Sequence, residues 1–274
     1  MPEAAVAAAG PTVAAALRDA TSLLAAAGCD TPRLDGELLL AHTLGVGRER
    51  LVLSAREELE PAMRARFGAL LGRRSAREPV AYITGEKAFR RITLHVDRRV
   101  LIPRPETELL VEVGLTLPLG ASVVDVGTGS GAVALALADE RPDLVLLGTD
   151  VDPGALAVAR ENAARLGSRV EFVCADLLDG IDRRFDAVLA NLPYVANGAD
   201  LPPEVARYEP AAALFAGADG LDVIRRLIGS LPAPPLLALE VGAGQAPAVA
   251  SMLAGSVEVV RDLAGHGRVV VARR

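Results

Sequence analysis

The chain has 274 residues, 51% of them hydrophobic, which is enough to bury a full core and to fill one large domain with a smaller companion. A net charge of −6 and a pI near 5.3 argue against a long phosphate-neutralising face, and the absence of Trp with only 3% aromatic residues argues against rows of stacked bases. Cys29 and Cys174 stand far apart with no thiol or histidine at metal-ligand spacing, so neither a disulfide framework nor a metal is expected, and a reducing cytoplasm fits.

The Ala-rich start opens with Met1, Pro2 and Glu3 where a signal peptide needs positive charge, and Arg18 and Asp19 interrupt the apolar run. No stretch reaches the length of a membrane span. From about Thr12 to Gly28, Val13, Leu17 and Leu24 fall at helical spacing, with Thr12 placed to cap the start. Thr31 followed by Pro32 reads as a second cap with proline at the first helical position, and Leu38, Leu39, Leu40 and Leu44 supply an apolar face before Gly45. A further helix begins near Pro61 and runs through Met63, Phe67, Leu70 and Leu71, so residues 1–78 read as a small helical module. Arg73, Arg74 and Arg77 form a basic patch, as do Arg90, Arg91, Arg98 and Arg99. Each reads as solvated surface, with docking of an acidic partner surface as the alternative.

Between Val80 and Ile102 the period changes to two: Ile92, Leu94 and Val96 alternate with Thr93, His95 and Asp97. A β-hairpin linker over 79–104 is expected there. From Pro105 onward the pattern runs helix, strand (Ser122 to Val126), Gly-rich turn, helix (Ala132 to Ala138), strand (Leu144 to Thr149) and helix (Pro153 to Leu166). Strands follow at Val170 to Cys174 and Phe185 to Ala190, then a helix from Leu221 to Leu231, a strand at Leu236 to Glu240 and a helix after Gln245. This alternation predicts an α/β fold, a mostly parallel sheet covered by helices, over 105–274. The two closing strands, Val257 to Val260 and Arg268 to Ala272, lack an intervening helix and must pair antiparallel or leave the sheet.

Gly127-Thr128-Gly129-Ser130-Gly131 follows a strand and precedes a helix, where missing β-carbons let the backbone turn sharply and approach a ligand. A plain tight turn is the bland alternative. The spacing is not the Gly-x-Gly-x-x-Gly that seats a pyrophosphate on a helix N-terminus. Asp150 ends the next strand, the place from which a carboxylate accepts hydrogen bonds from a ribose diol; Asp152 is left to capping the helix at Pro153. Asp176, at the end of the third strand, is positioned to meet an adenine amino group, with Leu177 against the ring.

The fourth strand ends in Asn191-Leu192-Pro193-Tyr194. An amide or aromatic amine is a poor nucleophile because its lone pair is delocalised, so attack on a sulfonium methyl requires in-line orientation and acceptors for its N–H groups. Asn191 can accept one N–H through its side-chain oxygen, the Leu192 carbonyl can accept the other, and the Tyr194 ring can stack on the planar group. Pro193 biases Leu192 away from the helical region and aims that carbonyl outward. A turn after a strand is the alternative for these residues. His42, His95 and His266 have no partners at catalytic spacing and read as structural or surface residues.

These segments resemble the HemK/PrmC family, the protein-(glutamine-N5) methyltransferases that modify the glutamine of the Gly-Gly-Gln motif in peptide chain release factors. The resemblance runs over nearly the whole chain: the helical start, the hairpin, Ile102-Pro103-Arg104-Pro105-Glu106-Thr107-Glu108, the Gly127 to Gly131 loop, the Asn191 to Tyr194 tetrad, Leu201-Pro202-Pro203-Glu204-Val205, and Glu209-Pro210 leading to Asp219-Gly220-Leu221. It implies a class I S-adenosylmethionine-dependent methyltransferase, a Rossmann-like seven-stranded sheet behind a small helical substrate-recognition domain. It further implies S-adenosyl-L-methionine on Gly127, Thr128, Gly129, Ser130, Gly131, Asp150, Asp176, Leu177 and Asn191, no metal, and a place near the cofactor for Thr107 and Glu108. The implied partner is a release factor, held by Asn191, Leu192, Pro193 and Tyr194; the enzyme is then a cytoplasmic monomer that touches neither nucleic acid nor membrane. One position departs from the pattern. The family's tetrad is usually Asn-Pro-Pro-Tyr, and Leu192 gives the form closer to enzymes that dimethylate adenine in ribosomal RNA, so adenine-N6 methylation of RNA or DNA stands as the alternative. A non-catalytic cofactor-binding protein and a dehydrogenase are the remaining readings.

Overall fold

The structure, a computed structural model, describes residues 10–231 and 234–274. Met1, Pro2 and Glu3, the basis of the reading against a signal peptide, lie outside the described residues; among those described, no helix is long and apolar enough to cross a membrane. The chain divides into two compact units, one reaching to Thr84 and including Pro203–Tyr208, the other Gly85–Pro202 with Glu209–Arg274. The hairpin expected as a linker lies inside the second unit, and Pro203–Tyr208, expected in the catalytic part, lies inside the first.

The first unit contains α1 (Val13–Ala26), α2 (Pro32–Leu44), α3 (Arg48–Leu53), α4 (Pro61–Ser75) and α5 (Val80–Thr84), with the short helix Pro203–Tyr208. Thr12 caps α1 as expected, its Oγ1 accepting from the Ala15 N–H at 3.3 Å. Leu24, Leu39, Leu40, Leu51, Phe67 and Ile83 form its core. Two expectations are corrected here. Thr31 makes no side-chain cap; its hydroxyl donates to Asp35 Oδ1 at 2.8 Å, because Asp35 is buried and needs donors. Val80–Thr84 is a helix and not the start of the hairpin.

The first arginine patch is also corrected at Arg74 and Arg77, which are neither solvated surface nor a free docking face, while Arg73 stays exposed. Arg74 is 5% exposed. It follows Phe67 and Leu71 at helical spacing on α4 and so turns inward with them. Its Nε donates to Asp35 Oδ2 at 2.7 Å and its Nη2 to Glu204 Oε1 at 2.9 Å. Arg77 grips the same Glu204 through Nε and Nη2, each at 2.7 Å, and Arg73 pairs with Glu78. This fork ties the short helix 203–208 into the helical unit. In the second patch, Arg90 is spent on Glu140 and Glu112 and Arg99 on Asp97, while Arg91 stays exposed.

In the second unit, β1 (Glu86–Phe89) and β2 (Ile92–His95) form the hairpin, with Glu86 opposite His95 and Phe89 opposite Ile92. A 3-10 turn, Pro105–Thr107, leads into α6 (Glu108–Leu115). Then come β3 (Ser122–Val126), α7 (Ala132–Glu140), β4 (Val145–Asp150), α8 (Pro153–Leu166), β5 (Glu171–Cys174), β6 (Ala187–Ala190), α9 (Asp222–Ser230), β7 (Leu236–Glu240), α10 (Ala246–Ala250), β8 (Ser256–Arg261) and β9 (Gly267–Arg273). The seven strands lie in the order β5-β4-β3-β6-β7-β9-β8, with β9 antiparallel to both β7 and β8. The closing strands therefore pair as their short connection requires. Between β3 and β6 the chain order reverses, and ligands bind at the carboxyl edge of such a reversal. Both expected site segments leave the sheet there, the Gly-rich loop from β3 and the Asn191 tetrad from β6.

Candidate active site

The loop after β3 takes φ values of 72° at Gly127, 54° at Gly129 and 83° at Gly131, all in the left-handed region that favours glycine. Its first two N–H groups, those of Gly127 and Thr128, both donate to the Thr149 carbonyl of β4, at 2.9 and 2.8 Å. A β-carbon on Gly127 would lie 3.0 Å from Leu192 Cδ2 and 3.4 Å from the Asn191 carbonyl oxygen, so the loop and the tetrad are packed directly on each other. Gly127→Ala is accordingly expected to cost about 1–3 kcal/mol through the backbone and the displaced Leu192 together, and to slow the reaction that the site carries out. A melting curve and an initial-rate measurement check it.

Asp150 stands at the end of β4 with Oδ2 accepting from Gly129 N at 2.9 Å and Oδ1 from Asp152 N at 2.9 Å. Burial raises its pKa, and those two amides oppose the rise. Each oxygen keeps a further lone pair for a ligand hydroxyl. Asp152 caps α8 as expected, accepting from Gly154 N at 2.7 Å. Asp176 is half exposed and meets Arg226 Nη2 at 2.7 Å, so a contact to an adenine amino group would share the carboxylate with that guanidinium. Leu177 follows at φ 57°, its side chain buried.

A cavity of about 220 Å³ joins these groups. Its wall includes Gly127, Thr128, Gly129, Ser130, Asp150, Asp176, Leu177, Asn191, Leu192 and Pro193. Gly131 and Tyr194 are outside that wall. The Tyr194 hydroxyl instead donates to Glu240 Oε1 at 3.4 Å, and its carbonyl accepts from Gln245 Nε2 at 2.9 Å. Burial pushes the Tyr194 phenol up to about 12, so it stays a donor at neutral pH. Its assumed role of stacking on a substrate from within this cavity is thus not supplied by the geometry. Leu192, by contrast, is 4% exposed and packs into the core beneath the glycine loop, which gives the residue that departs from Asn-Pro-Pro-Tyr a structural place.

Two polar residues beyond the expected set, Asp125 and Glu240, stand by the site, and Thr107, expected near the cofactor, joins it. Asp125 is buried in β3, accepting the Thr128 hydroxyl at 2.6 Å and Ala134 N at 3.3 Å. Burial pushes it up to about 6, opposed by those two donors and reinforced by the Asp150 charge. Thr107, suggested only by the family segment, lines the cavity and accepts Asn191 Nδ2 at 3.0 Å. Glu240 ends β7, 1% exposed, and burial pushes it up to about 7 against the counteracting Thr107, Tyr194 and Arg268. The signal for Asp125 and Glu240 is present in the sequence: one acid inside an otherwise apolar strand, Val-Val-Asp-Val and Leu-Leu-Ala-Leu-Glu.

Glu240 also has a consequence for stability. Its folded value near 7 lies above the 4.5 of a free side chain, so the folded chain keeps a proton that the unfolded chain has lost between those values. Stability contributed by this group is therefore full below pH 4.5 and falls as the pH climbs towards 7. Glu240→Gln removes the ionisation, and the gain in melting temperature over the unaltered chain is expected to be larger at pH 8 than at pH 5. An equal difference at both would contradict the assignment.

Residues 15–85 match the PrmC N-terminal domain and residues 105–209 the methyltransferase small domain. The chain is 44% identical over 270 residues to the release factor glutamine methyltransferase of Cereibacter sphaeroides, covering 94% of this chain and 97% of that one. The chain belongs to the release factor glutamine methyltransferase family. A second member, from Deinococcus radiodurans, is 42% identical over 94% of this chain and 97% of its own length. Among solved structures, the catalytic domain of hMettl16, in complex with the MAT2A 3'UTR hairpin 6, matches with a TM-score of 0.52 at 18% identity, over 66% of this chain and 75% of that one. That likeness shows the fold alone, a class I methyltransferase sheet; the family membership makes this chain an S-adenosylmethionine-dependent methyltransferase. Among the described residues no cluster of His, Cys, Asp and Glu is arranged to hold a metal ion.

Proposed function

We propose that this chain transfers a methyl group from S-adenosyl-L-methionine to the side-chain amide nitrogen, N5, of the glutamine in the Gly-Gly-Gln motif of peptide chain release factors. The observation that carries this reading is Asn191: it lines the cavity and its Nδ2 is committed to Thr107 Oγ1, so its Oδ1 is the end left to accept an amide N–H.

The residues present fit the cofactor. A glycine loop held in left-handed backbone at Gly127 and Gly129, a carboxylate at the end of β4 with free lone pairs, and apolar Leu177 beside Asp176 match a ribose and a flat base. Gly127, Thr128, Gly129, Ser130, Asp150, Asp176, Leu177 and Asn191, all on the cavity wall, would hold it. When bound, S-adenosyl-L-methionine supplies an electrophilic methyl on sulfur. Asn191 Oδ1 and the Leu192 carbonyl each accept one N–H of the substrate amide, which localises electron density on its nitrogen and fixes the line of approach. The proton departs to solvent once that nitrogen has become cationic, and no ionised base is needed. Leu192 keeps the accepting carbonyl that proline has at this position, so the substitution leaves the chemistry intact. The helical unit and the β1–β2 hairpin help to hold the release factor, and the chain works as a monomer in the cytoplasm.

Mass analysis of the Gly-Gly-Gln peptide after incubation with S-adenosyl-L-methionine is expected to find one added methyl on the glutamine. Transfer to RNA, with an affinity that falls steeply as salt rises, would instead favour adenine as the substrate.

A further inference from the structure

Behind the glycine loop, the side chain of Asn162 on α8 is enclosed, 1% exposed, and every bond it makes is to backbone. Its Oδ1 accepts from the N–H of His95 on β2 at 2.7 Å. Its Nδ2 donates to the His95 carbonyl at 3.0 Å and to the Ser130 carbonyl of the glycine loop, also at 3.0 Å. The amide thus pairs with β2 as the peptide of a neighbouring strand would, and its remaining hydrogen reaches the loop. Turned over, it would set Nδ2 against the His95 N–H and Oδ1 against two carbonyls. His95 therefore fixes which end meets Ser130, and burial makes the alternative costly.

Ser130 is where this anchor acts on the site. Gly129 and Gly131 flank it, so the loop has little stiffness of its own there. The peptide between Ser130 and Gly131 is held at both ends, its carbonyl by Asn162 and its N–H by the Thr128 carbonyl at 2.8 Å. The peptide between Thr128 and Gly129 is held by that same bond and by the Gly129 N–H, which donates to Asp150 Oδ2 at 2.9 Å. Between these two lie the Gly129 carbonyl and the Ser130 N–H, for which the chain supplies no partner among the described residues. Gly129 and Ser130 both line the cavity. A peptide with its donor and acceptor unengaged at a cavity wall is available to a ligand, and its aim is set by the two held peptides beside it.

We propose that Asn162 is a positioning residue for the cofactor: braced against the backbone of β2, it holds the Ser130 carbonyl and so aims the 129–130 peptide into the cavity. The proposal rests on the reading of the glycine loop as the seat of S-adenosyl-L-methionine. With Asn162 removed, the ligand must order the loop as it binds, which lowers affinity. The loss falls on binding and not on the chemical step, because the bound ligand is met by the same groups.

The test titrates S-adenosyl-L-homocysteine calorimetrically into the full chain and measures kcat and the KM for S-adenosyl-L-methionine with a release factor. The variants are Asn162→Ala, Asn162→Asp, Val158→Ala and Asp150→Ala. Asn162→Asp keeps the shape of the side chain and an acceptor for His95 but has no amide hydrogens to donate. Val158, one turn earlier on α8, is fully buried and apolar, so its truncation reports on packing alone. Both Asn162 variants are expected to bind S-adenosyl-L-homocysteine about 10-fold more weakly and to raise the KM as much, with kcat at saturating cofactor changed by less than about 3-fold. Val158→Ala is expected to lower the melting temperature while keeping affinity within about 2-fold. Undiminished affinity in either Asn162 variant would overturn the proposal. So would an equal loss in Val158→Ala, which would make the packing of α8 the cause. If Asn162→Ala failed to fold, Asn162→Asp would decide alone. Undiminished binding in Asp150→Ala would remove the reading of the loop as the cofactor's seat; weak binding in Asp150→Ala beside normal binding in the Asn162 variants removes only the role of Asn162.

Discussion

Asn191→Ala is expected to lower kcat/KM for methyl transfer by about 10²- to 10³-fold, the loss that follows removal of one preorganised polar group at a reacting centre. Binding of S-adenosyl-L-methionine is expected to stay largely intact. The reason lies in the geometry on either side of the residue. Gly127, Asp150 and Leu177 leave other strands of the sheet, and the loop hydrogen bonds to Thr149 and Asp150 do not pass through the Asn191 side chain. What the variant loses is the acceptor at the cavity wall, together with the bond from Nδ2 to Thr107. Asn191→Asp keeps an oxygen in place but loses that donor and brings a negative charge beside Thr107 and the buried Glu240, so it is expected to be as slow as the alanine variant. Calorimetric titration of cofactor beside initial rates separates the two effects. Equal loss of binding and rate would mean that Asn191 serves the cofactor alone.

The second large effect is on stability. Arg74→Leu is expected to cost about 3–5 kcal/mol, the usual result of leaving a buried carboxylate without its partner. Asp35 and Arg74 each have side chains 6% exposed, and Glu204, 15% exposed, is shared with Arg77. Burial alone would push Glu204 up, but Arg77 and Arg74 hold it down to about 2, against 4.5 for a free side chain. That depression corresponds to about 3 kcal/mol. Because the folded value is the lower one, the contribution is present above pH 4.5 and is lost as the pH falls towards 2. Arg74→Leu should therefore melt well below the unaltered chain at pH 7 and lose most of that deficit in acid. Removing the orphaned Asp35 charge as well, in Arg74→Leu/Asp35→Leu, which leaves Glu204 paired with Arg77, is expected to recover much of the stability, since a buried ion pair exchanged for apolar groups of similar volume is often neutral. A double variant as unstable as the single one would show that packing, not charge, is lost.

The parts of the fold that could be read in advance are those whose physics is local. An apolar run interrupted only by Asp125, then three glycines, then Ala-Val-Ala-Leu is enough to specify β3, its loop and α7, because each segment's own residues decide its conformation. Asp152 as a cap and the antiparallel pairing of the last strands follow from the same kind of reasoning. The short helices Arg48–Leu53, Val80–Thr84 and Pro203–Tyr208 escaped it, being too short for an apolar period to emerge. Arg74 was misread for a different reason: its partners, Asp35 and Glu204, lie 39 and 130 positions away, and a run of arginines says nothing about carboxylates at that distance. Its spacing from Phe67 and Leu71 was the available clue. At the site, the glycine loop, Asp150 and the tetrad were legible as motifs. Thr107 was legible only through the family segment and Glu240 only as an acid ending an apolar strand; that Thr107 meets Asn191 is decided by the folded sheet, which brings the 105–107 turn to the end of β6.

The central claim, glutamine methylation, is tested most directly by incubating the purified chain with labelled S-adenosyl-L-methionine and a release factor, in parallel with the same factor carrying alanine in place of its Gly-Gly-Gln glutamine. Label on the unaltered factor alone is the expected result, and it would show that Leu192 serves where the family usually has proline. Equal label on both factors, or none on either with cofactor binding intact, would contradict it.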